Sequence, residues 1–337
     1  MAVMTMREAL NAALFQEMRR DPTVIVLGED VSGGAGGTSG TRDAAGGIFG
    51  VTKGLIHEFG ADRVIDTPIS ESCIVGAANG AALAGLRPVA ELMFADFVGV
   101  SLDQIYNQMA KFRYMFGGRA RTPAVIRMSM GAGMNAAAQH SQTVYAMLTA
   151  IPGLKVVVPS NPADAKGLLA SAIRDDDPVM FLEHKALYSR KGEVPDGDYA
   201  TPFGEAALLR EGEHVTVVAL ARMVGFAERA IDKLAAEGIT CDLIDPRTTS
   251  PLDEDTILES VVNTGRLVIV DESPPRCSLA ADIAAIVAHK GFSSLKGPII
   301  PVTPPHTPVP FARELERAWV PSPERIEAAI RDAMKAG

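Results

Sequence analysis

Short runs of Val, Ile, Leu and Ala, apolar at nearly every position, recur along this chain. Each is followed by a longer segment with helical spacing. The runs fall at 24–28, 87–92, 124–130, 155–159, 179–183, 215–221, 240–245 and 267–272. A strand with one wet face alternates polar and apolar residues, whereas a strand that is apolar throughout is covered on both faces. Helical patterns fill the intervals at 6–20, 73–84, 99–116, 162–174, 224–237, 253–264 and 278–290, and a closing amphipathic helix is expected over 323–336. Start signals support them. Asn161 can cap a helix, Pro162 suits its first turn and Asp164 follows. The alternation implies an α/β fold with parallel sheets flanked by helices.

At 337 residues the chain is long enough for two domains. The polar stretch 188–203 (YSRKGEVPDGDYATPF) carries Pro195, Gly197 and Pro202 and reads as a linker. The expected domains are therefore residues 1–187 and 204–337. Six prolines between 298 and 310 mark extended chain at a sheet's end. A net charge of -9 excludes a broad nucleic-acid face and disfavours an anionic membrane surface. No apolar stretch is long enough to span a bilayer, and residues 1–20 lack the apolar core of a secretory signal. Cys73, Cys241 and Cys277 form no metal or disulfide spacing, so reduced thiols and a cytoplasmic setting are expected.

Two segments suggest chemistry. In Asp66-Thr67-Pro68-Ile69-Ser70-Glu71, Pro68 keeps Thr67 out of a helix, and a helix of small residues then begins. Glu71 thus sits at a loop-to-helix junction. There it either complements a helix dipole or serves a site. Gly76, Ala77, Gly80 and Ala81 behind it allow close approach of a backbone or a flat ligand. His140, in Ala138-Gln139-His140-Ser141-Gln142, follows a strand end, where α/β folds place their chemistry. Gly131, Gly133 and Ala136 fit a weak G-x-G-x-x-A pattern, but the acid a nicotinamide site needs after the next strand is missing. Glu29 and Asp30 lie at a strand tip, where two acids bind a metal or simply solvate a loop. No zinc spacing, phosphate loop or nucleophile elbow occurs. The glycine-rich segment 32–50 reads as a surface loop or as one that orders over a ligand or subunit interface.

Taken together, GED at 28–30, DTPISE at 66–71, ELMFADF at 91–97, AQHSQ at 138–142, PGLKVVVPSNPADAKGLL at 152–169 and DLIDPRTTSPLDEDTI at 242–257 form a set. In that order it resembles the β subunit of the decarboxylating component of 2-oxo acid dehydrogenase complexes. The resemblance covers essentially the whole chain. It implies a transketolase-like pyrimidine-binding domain followed by a transketolase C-terminal domain. It also implies thiamine diphosphate at an interface with an α subunit in an α2β2 heterotetramer, with Mg²⁺ and the diphosphate held by α. A second β subunit, a lipoyl-bearing acyltransferase core and a small-molecule substrate complete the implied partners. The sequence agrees on one point independently, since no GDG motif for a diphosphate–Mg²⁺ site is present.

The resemblance also suggests roles. Glu71 matches the acid that hydrogen-bonds the far nitrogen of the aminopyrimidine and activates the cofactor. Met93 and Phe97 match positions against that ring, and Glu29 a supporting position beside it. His140 matches the histidine that acts when the acyl group passes to lipoamide. Ala124, Ala172, Ile173, Asp175 and Asp177 match positions that hold a structural K⁺ in some relatives. Apart from the resemblance, Asp271 and Glu272 either meet a basic docking domain or are ordinary exposed acids at a strand end. The glycine-rich insert, GGIFGVTKGL at 46–55 and PHTPVPF at 305–311 are similar to the acetoin dehydrogenase branch. Acetoin cleavage is therefore the expected reaction, with pyruvate or branched-chain 2-oxo acid decarboxylation as the alternative.

Overall fold

The computed structural model describes residues 1–33 and 46–335, so most of the glycine-rich segment 32–50 lies outside the described residues. The chain opens with β1 (Ala2–Thr5), α1 (Met6–Arg20), β2 (Val24–Gly28), α2 (Leu55–Phe59), β3 (Val64–Asp66) and α3 (Glu71–Leu83). It continues with β4 (Arg87–Phe94), α4 (Ala110–Met115), β5 (Val125–Met130), α5 (Tyr145–Thr149), β6 (Lys155–Val157), α6 (Pro162–Arg174), β7 (Val179–His184) and β8 (Lys191–Val194). Then follow β9 (Ala207–Arg210), β10 (Val215–Ala219), α7 (Arg222–Ala235), β11 (Cys241–Asp245), β12 (Thr248–Ser250) and α8 (Glu254–Thr264). The last elements are β13 (Leu267–Val270), α9 (Leu279–Lys290), β14 (Ile300–Val302), α10 (Arg313–Trp319) and α11 (Pro323–Lys335).

Two compact units form. One comprises Met1–Met130 and Leu148–Phe203, the other Gly131–Met147 and Gly204–Gly337. In the first, β6, β7, β5, β4, β2 and β3 lie side by side in that order, every pair parallel. Helix α1 starts at a reciprocal cap: Thr5 Oγ1 accepts from the Glu8 amide at 3.2 Å, and the Thr5 amide donates to the Glu8 carboxylate at 2.8 Å. Met6, Leu10, Ala13 and Leu14 recur at helical spacing and are fully buried, packed with Leu168, Leu169 and Ala172 of α6. The polar stretch expected as a linker carries β8, which pairs antiparallel with β1, Ala2 opposite Val194. Edge residues 2–5 find there the hydrogen-bonding partner that a lone strand lacks.

The helix expected over 99–116 is broken. A 3₁₀ turn (Ala95–Gly99) and a π-helical turn (Gln104–Met109) precede α4. The Asn79 side chain donates to the Gln104 carbonyl at 2.8 Å, and capture of a ladder acceptor by a side chain is a recognised cause of such irregularity.

In the second unit the strand order is β14-β13-β10-β11-β9, with only β9, at the edge, antiparallel. Helices α7 and α11 bury Met223, Ala227, Ile231, Ile326 and Ile330 against β10 and β13. Residues 131–147 group here because this unit satisfies their backbone. The amides of Ala132 and Gly133 donate to the carboxylates of Glu272 (2.6 Å) and Glu316 (2.8 Å), and the Tyr145 hydroxyl donates to Asp271. Asp271 and Glu272 are only 0% and 3% exposed. They are internal acceptors, which corrects the expectation that they offer an acidic docking surface. Burial and the Asp271 charge hold the Tyr145 hydroxyl far above its usual range, so it remains a donor. We expect Tyr145→Phe to cost about 1–3 kcal/mol in urea unfolding, because a buried carboxylate loses a partner. An unchanged midpoint would show that this bond is dispensable.

All three cysteines are unbridged. Among the described residues no helix is long and apolar enough to cross a membrane.

Candidate active site

In a doubly flanked parallel sheet the carboxyl ends of the strands are left open, and ligands bind there. The first unit places four of the expected residues at such ends. Glu29 follows β2, Glu71 begins α3 just after β3, Met93 lies near the end of β4, and Phe97 sits in the turn beyond it. All four are partly buried. The loop bearing Glu71 is tied to the end of β2: the Thr67 amide donates to the Gly28 carbonyl at 2.9 Å. Gly28 itself is required, since a Cβ there would come within 2.9 Å of the Glu91 carbonyl oxygen. Nearby, the Ser32 amide and hydroxyl both donate to the Asp66 carboxylate, at 2.6 and 2.5 Å. Thr67 Oγ1 is buried and has no hydrogen-bond partner.

The strand register helps aim Met93. The pairing of β4 with β5 shifts between Leu92 and Phe94, and such irregularities re-aim side chains beside active sites. The Met93 carbonyl is held by Ser129 Oγ at 2.5 Å. Phe97 packs edge-on against Phe94, 5.8 Å between ring centres, and Phe94 does the same to Phe49 at 6.0 Å.

Glu29 and Glu71 lie close enough for their charges to be felt. Burial first, then the charges of Asp30 and Glu71, push the Glu29 carboxyl above its usual range. Behind Glu29 stands a group that the sequence reading missed. Arg127, only 2% exposed on its side chain, donates from Nε and Nη2 to both oxygens of Glu183 at 2.7 Å and from Nη1 to Glu91 at 2.7 Å. The Tyr188 hydroxyl adds a bond to Glu183 at 2.7 Å. Burial pushes the Glu91 carboxyl up against the opposing pull of Arg127, and Glu183 and Glu29 push the same way. A cavity of about 10 Å³ among Glu91, Met93, Arg127, Ser129 and Glu183 has room for about one water. The signal was present in the sequence: Glu91, Arg127 and Glu183 are charges inside otherwise apolar strand runs, where each needs a partner. Glu91 and Arg127 are in fact opposite each other on adjacent strands.

His140 is placed differently. It is partly buried and belongs to the stretch that groups with the second unit. The five positions suggested for potassium fall around the end of α6 and the turn after it, where side chains already supply positive charge. Arg87 Nη1 donates to the carbonyls of Ile173 (3.0 Å) and Asp175 (2.8 Å), and Lys155 holds the Asp175 carboxylate at 2.6 Å. The Ala124 carbonyl accepts from Val179, that of Ala172 from the Asp175 amide, and Asp177 pairs with Arg113. An ion here would share the Ile173 and Asp175 carbonyls with Arg87. Among the described residues no cluster of three or more His, Cys, Asp or Glu side chains could hold a metal.

Comparison with known proteins places this geometry in a class. Residues 2–191 match the transketolase pyrimidine-binding domain and residues 204–326 the transketolase C-terminal domain. Among solved structures, a split-gene transketolase described as an inactive β4 tetramer superposes with a TM-score of 0.78, covering 99% of each chain at 24% identity, which establishes the fold alone. The class is thus that of transketolase-like, thiamine-diphosphate-dependent enzymes. Among curated relatives, the acetoin:2,6-dichlorophenolindophenol oxidoreductase subunit beta of Cupriavidus necator is 59% identical, over 99% of this chain and 98% of its own. Its counterpart in Bacillus subtilis is 54% identical, over 96% and 95%. The pyruvate dehydrogenase E1 component subunit beta of Bacillus subtilis is 41% identical, over 99% and 100%. The chain belongs to the family of β subunits of thiamine-diphosphate-dependent acetoin and 2-oxo acid dehydrogenases.

Proposed function

We propose that this chain is the β subunit of an acetoin dehydrogenase. It would supply the aminopyrimidine half of a thiamine-diphosphate site whose diphosphate and Mg²⁺ are held by an α chain in an α2β2 assembly. The observation that carries the substrate is the gap in identity: 54–59% to acetoin oxidoreductase β subunits against 41–45% to pyruvate and 2-oxoisovalerate dehydrogenase β subunits of comparable length. Absence of a GDG motif supports the division of labour between chains.

The residues fit the ring. A carboxyl at the start of α3, the apolar walls Met93 and Phe97, and the unpartnered Thr67 hydroxyl suit a flat heterocycle with polar edges. The bound cofactor supplies a nucleophilic carbon and the 4′-amino group that takes its proton. Glu71 would hydrogen-bond the far ring nitrogen through its carboxyl, the contact that would assist proton transfer at that amino group. Glu29 shapes the field around Glu71. Its raised pKa lets it take up a proton at lower cost than an ordinary glutamate. Phe97 and Met93 exclude water from the ring faces. His140 would serve as the hydrogen-bond donor or acceptor when the two-carbon unit passes to lipoamide, since a neutral imidazole has one nitrogen of each kind. The lipoyl group belongs to an acyltransferase core.

The test is coexpression with the neighbouring α chain and assay with 2,6-dichlorophenolindophenol as acceptor. Acetoin is expected to reduce the dye faster than pyruvate or branched-chain 2-oxo acids, and the β chain alone to give no turnover. Faster reduction with pyruvate would assign the chain to the alternative branch.

A further inference from the structure

The second unit contains a cavity of about 430 Å³ that the reading above does not use. Three guanidiniums line it: Arg222 at the start of α7, and Arg313 and Arg317, one turn apart on α10. Arg222 is fixed in place. Its Nη1 donates to the Ala132 carbonyl at 3.1 Å, and its charge lies 4.8 Å from the centre of the Phe226 ring. Gly133, at φ +101°, makes room for it, since a Cβ there would fall 2.0 Å from Arg222 Nη1. Arg313 and Arg317 are exposed, and among the described residues neither is paired with a carboxylate.

Two carboxylates share the wall, and both are engaged. Glu316 accepts from the amides of Gly133 (2.8 Å) and Asn135 (3.1 Å) and from the Asn135 side chain (3.1 Å). Glu324 is turned onto the first turn of α11, where Ser322 and its own amide hold its carboxyl below the usual range. Two of the three positive charges therefore face the cavity without internal neutralisation.

We propose that this cavity binds a small phosphate monoester, with its dianion held among Arg222, Arg313 and Arg317. Planar guanidinium forks match phosphate oxygens and hold them by charge-assisted hydrogen bonds. The volume exceeds that of a bare ion and lies within the range of small-molecule sites, which leaves space for an organic group.

The full-length chain is titrated with glycerol 3-phosphate and, separately, with inorganic phosphate, at constant ionic strength held with chloride. Binding is followed by ³¹P line width and by the fluorescence of Trp319, the chain's one tryptophan, on the same helix as both arginines. Saturable binding is expected, tighter for the ester. Arg313→Gln with Arg317→Gln should raise the dissociation constant roughly tenfold or more. Both side chains are exposed, so the thermal midpoint should not change; each single variant should show a smaller loss. The proposal is overturned by a non-saturable response, by an equal response to chloride, by equal affinity for the two phosphates, or by unaltered binding in the double variant.

Discussion

Exchanging Glu71 for glutamine is expected to lower kcat of the assembled enzyme by roughly 10²–10⁴-fold with little change in thermal midpoint. The reason lies in what the two groups can do at one atom. The amide keeps the shape of the side chain and its place in the first turn of α3, but it cannot hold and return a proton to a ring nitrogen. Glu71 is partly exposed, and among the described residues no hydrogen bond is donated to its carboxylate, so its loss leaves no buried donor stranded. Glu29→Gln should be milder, since that carboxyl acts on the ring through its neighbour. Dye reduction with saturating acetoin, alongside a melting curve, separates chemistry from folding. Turnover near that of the parent would remove Glu71 from the reaction.

Arg127→Met should produce the largest loss of stability, about 3–5 kcal/mol. The guanidinium answers Glu183 through two bonds and Glu91 through a third, all at 2.7 Å. Removing it leaves Glu183, fully buried, with Tyr188 as its remaining hydrogen-bond donor among those described here. Such a loss corresponds to a fall in melting temperature of roughly 4–7 °C in a chain of this size. Replacing all three charges together with apolar residues should recover much of it, because the unanswered charge, more than the missing bonds, carries the cost. A single variant that melts with the parent would mean that water reaches the triad freely.

Local signals were legible in the sequence, and pairings across the chain were not. The uninterrupted apolar runs announced buried parallel strands, and Pro68 announced the junction at Glu71. Both are effects of neighbouring residues. Three features escaped because each depends on a distant partner. The amide runs of Ala132 and Gly133 looked like an ordinary strand-end turn until Glu272 and Glu316, more than a hundred residues on, took their hydrogens. Residues 191–194 looked polar enough for a connector, but β1 needed an edge. The π-helical turn in 104–109 has its first carbonyl bonded by an asparagine on another helix. Met93 was singled out by resemblance, and the register shift beside it, which depends on how β4 meets β5, had no local signal.

The grouping of Gly131–Met147 with residues beyond 204 has a practical bearing. No single cut in the gene separates the two units: a fragment ending at 203 carries a segment whose hydrogen-bond acceptors are gone, and one beginning at 204 leaves Asp271, Glu272 and Glu316 with fewer donors. Truncation for crystallography, domain grafting between relatives and split-protein reporters would all need the seventeen-residue excursion transplanted along with the rest.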